Sequence, residues 1–484
     1  MISVFFKTYG CLANVADSEL LAKYMRGLGC VVSENESEAD LIIVNTCAIR
    51  EKAEHKLFSY VGRLAEYVKN KPHLKVGIIG CVTSYRKSDF FEKFSFVNFA
   101  FGAKNDLEQL KAYIADLIIK IETEKQFYPV RPEGFSEGKM SRRVLPNGVQ
   151  ALFKSQFKVI KDKNIPELVE KRNLKIPEDA KIISDFKHGR LKRSVINIMT
   201  GCNNYCTYCI VPFTRGREKS FEMEAILERV KKELDAGAKE INLLGQNVNS
   251  YCDPKTGADF ATLLENVAKL DGEFWVRFTS PHPKDTSKKL LQVMAKYSEK
   301  LCAWIHLPLQ SGSDNILKRM NRTYTSEQFL EKVNWIREFL PDAIISTDII
   351  LGFPGETEED YQKTLDMLET VRFAFSFSFI YSPRKYTKAA AMEDNCPHET
   401  KLKRLEYLQK RQKEISKETH NALVGKTIKV LVENVMPNGM FFAKTAGNIR
   451  VSVRSDNKDI VNKFIMVKID VAREALVEAT AINF

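Results

Sequence analysis

Cys202, Cys206 and Cys209 stand in the run INIMTGCNNYCTYCIVPFTRG, and this CxxxCxxC spacing offers three thiolates to one inorganic centre. Three is the informative number. A structural zinc site closes with four protein ligands, and an ordinary iron–sulfur cluster also takes four cysteines. No other Cys or His lies within thirty residues on either side except His188. A [4Fe-4S] cubane held by three cysteines keeps one iron open to a further ligand. A zinc site completed by His188 or by a remote residue is the competing chemistry.

Three more cysteines follow a different logic. The segments ISVFFKTYG, DLIIVNT and LKVGIIG read as short apolar strands, and Cys11, Cys47 and Cys81 directly follow them. Their separations of 36 and 34 residues match the length of a βαβ unit. In a parallel sheet all strand carboxyl ends share one edge, where ligands bind. Cysteines far apart in sequence therefore converge there, making a second three-thiolate site. Three buried cysteines acting as small apolar residues are the alternative. Cys30, Cys252, Cys302, Cys396 and His306 show no metal-like spacing and read as packing or surface residues.

The elements that position these groups set the fold class, α/β in several domains. Residues 1–125 form an N-terminal parallel α/β domain, and 126–187 a linker with a basic insertion and a helix near 165–173. Residues 188–418 carry six strands, SVINIMT, EINLLGQNV, FWVRFTS, AWIHLPLQ, AIISTDIILG and FAFSFSFIYS. Helical segments such as FEMEAILERVKKELDAG alternate with them, which indicates a partial (β/α)6 barrel with its site at the strand carboxyl ends. The first strand leads into CxxxCxxC, as that rule requires. A basic helix spans 400–419, and residues 421–484 read as a small antiparallel β-barrel of a kind that binds oligonucleotides. Phe373, Phe375, Phe377 and Phe379 alternate with small residues, so period two puts the rings on one face, expected to pack under the outer helices. Phe441 and Phe442 face opposite sides of a tail strand, one for the core and one to stack on an RNA base.

Composition narrows the setting. The 484 residues are 44% hydrophobic and 28% charged, ordinary for a soluble protein. No run approaches the ~20 apolar residues of a membrane span, and no N-terminal apolar run follows a basic start. A cytoplasmic, membrane-free protein with reduced thiols is expected. The net charge of +12 favours an acidic partner such as nucleic acid. Residues 141–193 hold 14 Lys or Arg against 6 Asp or Glu.

The CxxxCxxC run resembles the signature of radical S-adenosylmethionine (radical SAM) enzymes. The chain as a whole resembles the methylthiotransferases, with their N-terminal three-cysteine domain, radical SAM barrel and TRAM RNA-binding tail. LLGQNVNSY (243–251), HLPLQSGSDNILKRMNRTYT (306–325) and STDIILGFPGETEED (346–360) are most similar to the subfamily acting on isopentenyladenosine in tRNA. Sister subfamilies act on threonylcarbamoyladenosine in tRNA or on an aspartate of a ribosomal protein. Two departures stand out. Much of 141–193 is an insertion, and SPRKYTKAA replaces a PRPGTPAA-like run, keeping Arg384 but substituting Lys385, Tyr386 and Lys388.

The resemblance implies an enzyme that adds a methylthio group to C2 of isopentenyladenosine 37 in the tRNA anticodon stem-loop, using two SAM. It implies two [4Fe-4S] clusters, one on Cys202, Cys206 and Cys209 that binds SAM, and one on Cys11, Cys47 and Cys81 that presents sulfur. An electron donor such as flavodoxin or ferredoxin, a sulfur donor and a monomeric state belong to the same expectation. Tyr208 would lie against the SAM adenine. Gly245, Gln310 and Asp348, at or near strand carboxyl ends, are candidate SAM contacts; packing, a turn glycine and ordinary hydrogen bonding are their alternatives. GFPGET (352–357) lacks the GK[ST] ending of a phosphate loop. The competing function of another class is a non-catalytic RNA-binding iron–sulfur sensor.

Overall fold

In the computed structural model, residues 1–48, 51–103, 107–127 and 193–482 are described. The linker and its expected helix at 165–173 lie outside them, as does His188.

The first domain is a five-stranded parallel sheet in the order β2-β1-β3-β4-β5. Its strands are β1 (Ser3–Tyr9), β2 (Val31–Val32), β3 (Leu41–Thr46), β4 (Lys75–Gly80) and β5 (Val97–Phe101), with α1 (Leu12–Gly27), α2 (Glu51–Asn70), α3 (Thr83–Lys93) and α4 (Leu107–Phe127) as crossovers. Every residue of β3 is buried. A near-continuous apolar run is what a strand covered on both faces requires. The short β2 and the edge strand β5 extend the three strands expected from sequence.

The second domain supplies β6 (Arg193–Asn197), β7 (Met199–Thr200), α5 (Val211–Arg215), β8 (Lys219–Ser220), α6 (Met223–Asp235), β9 (Glu240–Leu244), α7 (Phe260–Ala268) and β10 (Trp275–Phe278). It continues with α8 (Lys288–Lys296), β11 (Trp304–His306), α9 (Asp314–Arg319), α10 (Ser326–Phe339), β12 (Ile344–Leu351), α11 (Glu358–Val371), β13 (Phe375–Ile380) and α12 (His398–Asn421). Six parallel strands form two three-stranded sheets, β10-β9-β6 and β11-β12-β13, joined by a single bridge from Val276 to Leu301. This is the expected partial barrel. One apolar core of strand and helix residues fills the space beneath the outer helices. Capping boxes at Thr325/Gln328 and Thr357/Asp360 start α10 and α11 by satisfying orphan amides at the first turn.

The phenylalanine strand faces opposite to expectation. Phe375, Phe377 and Phe379 sit in register with Ser346, Asp348 and Ile350, while Ile345, Ile349 and Leu351 on the other face enter the helix-side core. Phe377 and Phe379 are 43% and 45% exposed on the concave face of the barrel. The helix α12 packs on this strand through a mixed stripe, with Leu408 and Ile415 in the apolar core beside polar Gln412 and Ser416. Gln412 Nε2 donates to the Phe373 carbonyl and Ser416 Oγ to that of Ala374. The small Ser376 and Ser378, in register with Thr347 and Ile349, let the helix lie close to this face, and the rings point inwards. Only Phe373, ahead of the strand, joins the core as expected.

The tail is a closed barrel, β14-β15-β16-β18-β17, from β14 (Thr427–Val435), β15 (Phe441–Thr445), β16 (Arg450–Arg454), β17 (Phe464–Ala472) and β18 (Val477–Ala481). The fifth strand, VEATA, escapes a sequence reading because its short run carries a Glu. It pairs parallel with β16, so the barrel is not wholly antiparallel. Phe441 is in its core and Phe442 half-buried on the other side.

This barrel docks at the amino ends of the second-domain strands. Trp275 packs on Phe464 with ring centroids 4.9 Å apart. Buried Glu240 accepts from Arg193 Nε and Arg277 Nε at 2.5 and 2.9 Å, and Arg277 also donates to the Thr445 and Ala446 carbonyls. Burial alone would raise the Glu240 carboxyl, but the two guanidiniums overcome it and hold the pKa at about 2. Because the folded value is depressed, this contribution to stability is complete above about pH 4.5 and is lost as pH falls towards 2. Glu240→Ala leaves Arg277 buried beside an empty partner site and should cost roughly 3–5 kcal/mol. Urea unfolding at neutral pH tests this, and an unchanged midpoint would contradict the account.

Candidate functional site

In the first domain, Tyr9, Thr46 and Gly80 lie level across neighbouring strands β1, β3 and β4. Cys47 and Cys81 come one residue later and Cys11 two, so all three reach one sheet edge, as expected. The Cys47 amide donates to the Tyr9 carbonyl and the Cys81 amide to that of Thr46. Beneath them lies a buried polar lattice. Asn14 Nδ2 donates to Asn45 Oδ1 and the Thr46 carbonyl, and Asn45 Nδ2 donates to Ser18 Oγ and the Asn14 carbonyl.

Cys11 is also the N-cap of α1, where the helix dipole favours a thiolate. A hydrogen bond with Cys47 pulls its pKa to about 6 against the opposing effect of burial. Burial pushes the Cys81 thiol up, partly offset by the cation of Arg215. Arg215 comes from α5 of the second domain and pairs with Asp17 at 2.8 Å.

The CxxxCxxC loop closes over the carboxyl ends of the second-domain strands. Gly201 turns the chain at φ +77, and its amide donates to Gln246 Oε1 at 2.6 Å. A Cβ there would lie 2.0 Å from the Arg217 carbonyl oxygen. Burial raises Cys202 to about 11 and Cys209 to about 12. Such a pocket disfavours bare thiolates and calls for a cationic centre to hold them deprotonated. Arg322, itself buried, supplies one cation, with Nη1 3.4 Å from Cys206 Sγ and 3.5 Å from Tyr208 Oη. Its Nη2 donates to the Pro308 carbonyl, which binds it to the segment between β11 and Gln310.

The expected SAM contacts fall in differing surroundings. Tyr208 is edge-on to Phe353 at 6.5 Å and close to Arg322, a packed position. Gly245 follows β9, where a Cβ would meet the Met199 side chain at 2.5 Å. Gln310 lies four residues beyond β11 rather than at its end. It has φ +70, and its buried Oε1 has no hydrogen-bond partner. A buried acceptor left without a donor calls for an explanation, and a ligand donor is one. Asp348 lies in β12 as expected, 3.3 Å from His306 Nε2.

Sequence reasoning passed over several residues. His306 lines the concave face, with the Phe377 ring at 5.8 Å and Trp304 at 6.3 Å. In GQNVNSY, Asn247 accepts from the His282 amide and donates to Asp285. Arg322 and Arg215 carry no spacing signal; only their place inside matched blocks marks them.

Among the described residues, no three His, Cys, Asp or Glu side chains close on a single metal ion. A mononuclear zinc site needs all its ligands within about 2.0–2.3 Å of one atom. A cluster gives each thiolate its own iron and asks only for a wider triangle. No disulfide joins any of the ten cysteines, and no helix among the described residues is long and apolar enough to cross a membrane.

Comparison with known proteins adds to this geometry. Residues 196–368 match the radical SAM superfamily, 3–102 the uncharacterized protein family UPF0004 and 421–482 the TRAM domain. The chain is 38% identical over 462 residues to the tRNA-2-methylthio-N(6)-dimethylallyladenosine synthase of Thermodesulfovibrio yellowstonii, covering 95% of each. It is 38% identical over 473 residues to that of Carboxydothermus hydrogenoformans, covering 96% of each. Among solved structures, the radical SAM methyltransferase TsrM from Kitasatospora setae matches with a TM-score of 0.51 at 13% identity, over 80% of this chain and 74% of that one. That likeness concerns the fold.

Gly201→Ala tests the loop geometry. Strain in the left-handed region costs about 1–3 kcal/mol for a non-glycine residue, and the contact with the Arg217 carbonyl adds to it. Gly272→Ala, at φ +102 with open space around it, carries the conformational cost alone. Denaturant unfolding should show Gly201→Ala losing more stability than Gly272→Ala; equal losses would contradict the close approach.

Proposed function

The chain belongs to the tRNA-2-methylthio-N(6)-dimethylallyladenosine synthases, radical SAM methylthiotransferases, and from that membership we propose how its residues divide the work. It acts on tRNA and uses an iron–sulfur cluster and SAM. The substrate is adenosine bearing the five-carbon dimethylallyl (isopentenyl) group, within the anticodon stem-loop. Radical chemistry from cluster and SAM is what an unactivated C2–H requires, since no side chain is basic enough to remove that hydrogen as a proton.

In this reading the protein holds two clusters. Cys202, Cys206 and Cys209 hold the one that meets SAM, with Arg322 fixing Cys206. Cys11, Cys47 and Cys81 hold the one that presents sulfur, with Arg215 neutralising its surroundings. Gln310 offers its unpaired carbonyl oxygen to SAM, while Tyr208 and Gly245 shape the rim and Asp348 orients His306. The domains are those read from sequence: 1–125 for sulfur, 188–418 for radical chemistry and 421–484 for RNA. An electron donor such as flavodoxin or ferredoxin, a sulfur donor, a monomeric state and a cytoplasmic location complete the proposal.

The observation that carries the assignment is the placement of two separate thiol triads at strand carboxyl ends, with Arg215 of the segment after Cys209 set beside Cys81 and Cys11. If their roles differ, Cys206→Ala should abolish both 5′-deoxyadenosine and product. Cys47→Ala should spare SAM cleavage and abolish thiolation. Equal loss of SAM cleavage in folded, cluster-bearing samples of both variants would refute the division.

Phe377 and Phe379 supply an apolar wall for the prenyl chain, whose burial gains ~25 cal/mol per Å² removed from water. Such binding energy orients the base. Phe377→Ala should raise KM for the prenylated stem-loop roughly tenfold, about 1.4 kcal/mol, and leave the poor turnover of unmodified adenosine unchanged. Matched stem-loops bearing adenosine, isopentenyladenosine or threonylcarbamoyladenosine provide the measurement. Preference for the threonylcarbamoyl form would contradict the apolar wall.

A further inference from the structure

The divergent SPRKYTKAA loop closes against the cysteine loop. The Ala389 amide donates to the Thr207 carbonyl, and Arg384 Nη1 lies 3.7 Å from Glu54 of the first domain. Within this loop Tyr386 adopts φ +74. Aligned on Arg384 and Thr387, it stands where the PRPGTPAA-like run has glycine. A bulky side chain in the left-handed region is an outlier, and such strain concentrates at functional positions.

Its ring is not used for packing in a core. Tyr386 is 56% exposed, and its aromatic neighbour, Phe213 of α5, 6.5 Å away with planes at 32°, is 49% exposed. Phe213 follows the cysteine loop by four residues, so the pair sits beside the mouth. Lys385 and Lys388 are exposed on the same loop, and Lys385 Nζ lies 5.3 Å from the Tyr386 ring centre. Open aromatic faces flanked by ammonium groups match a single-stranded nucleic acid, which offers a base to stack and phosphates to neutralise.

We propose that Tyr386 and Phe213 form a stacking platform for an unpaired nucleotide of the anticodon loop flanking the adenosine that is modified. This rests on tRNA being the substrate and adds a contact outside the three-thiol sites and the prenyl wall. Stacking is tolerant of base identity, so the platform holds the loop in register without reading sequence.

The test uses the full chain with its cofactors and anticodon stem-loops carrying 2-aminopurine on either side of the target adenosine. One flanking position should be quenched on binding. Tyr386→Gly should abolish the quench and weaken binding roughly 5- to 100-fold, the range for loss of one stacked base. Its thermal midpoint should hold or rise, since glycine suits φ +74. Tyr386→Trp should keep the quench. Tyr386→Gly binding as tightly with the same quench would overturn the proposal. A wild-type chain that methylthiolates the stem-loop while both reporters stay bright would overturn the platform alone. A wild-type chain that fails to bind the stem-loop would overturn both platform and substrate.

Discussion

Arg215 leaves the helix after Cys209, enters the first domain and pairs with Asp17 at 2.8 Å. Burial alone would lower its pKa, yet Cys81, Asp17 and Cys11 outweigh that and hold it firmly charged. Ile210, just ahead of it, is fully inside the first-domain core, and Ala16 of α1 packs on Val195 and Leu244 of the second domain. The segment carrying one thiol triad is thus built into the domain carrying the other. A cation buried beside Cys11 and Cys81 suits a centre whose ligands are anionic when occupied. Remove that interface and the chain retains two chemistries with nothing to bring them together.

Much of this was legible in the sequence, for identifiable reasons. Ligand spacing within one loop is local, so CxxxCxxC announces itself. The remote triad was legible because parallel strands end on one edge and the cysteines follow strands by one or two residues. The inner face of β13 was not. Period two separates the two faces of a strand but does not say which is inward, and the close packing of α12 on the small-residue face decides it. Arg322 and Arg215 act across 114 to 198 residues of sequence. Their partners exist only after folding.

The tail barrel is seated at the strand amino ends, across the second domain from the thiols. The Arg277 bonds to the Thr445 and Ala446 carbonyls, the Arg193–Glu433 pair and the Trp275–Phe464 contact make it a fixed arm, which a flexible tether would not provide. RNA bound at the tail, as proposed, would have to reach around the barrel to the mouth. Deleting the tail would also uncover Trp275 and Arg277, mixing lost RNA contacts with lost stability. Substitution of half-buried Phe442, which faces away from the tail core, separates the two.

The central claim is that one chain holds two independent clusters, each on three cysteines. Iron and acid-labile sulfide counts on anaerobically reconstituted wild-type chain test it most directly. About eight irons per chain, two four-iron clusters, is the predicted result. About four irons in fully folded, active protein would contradict the account.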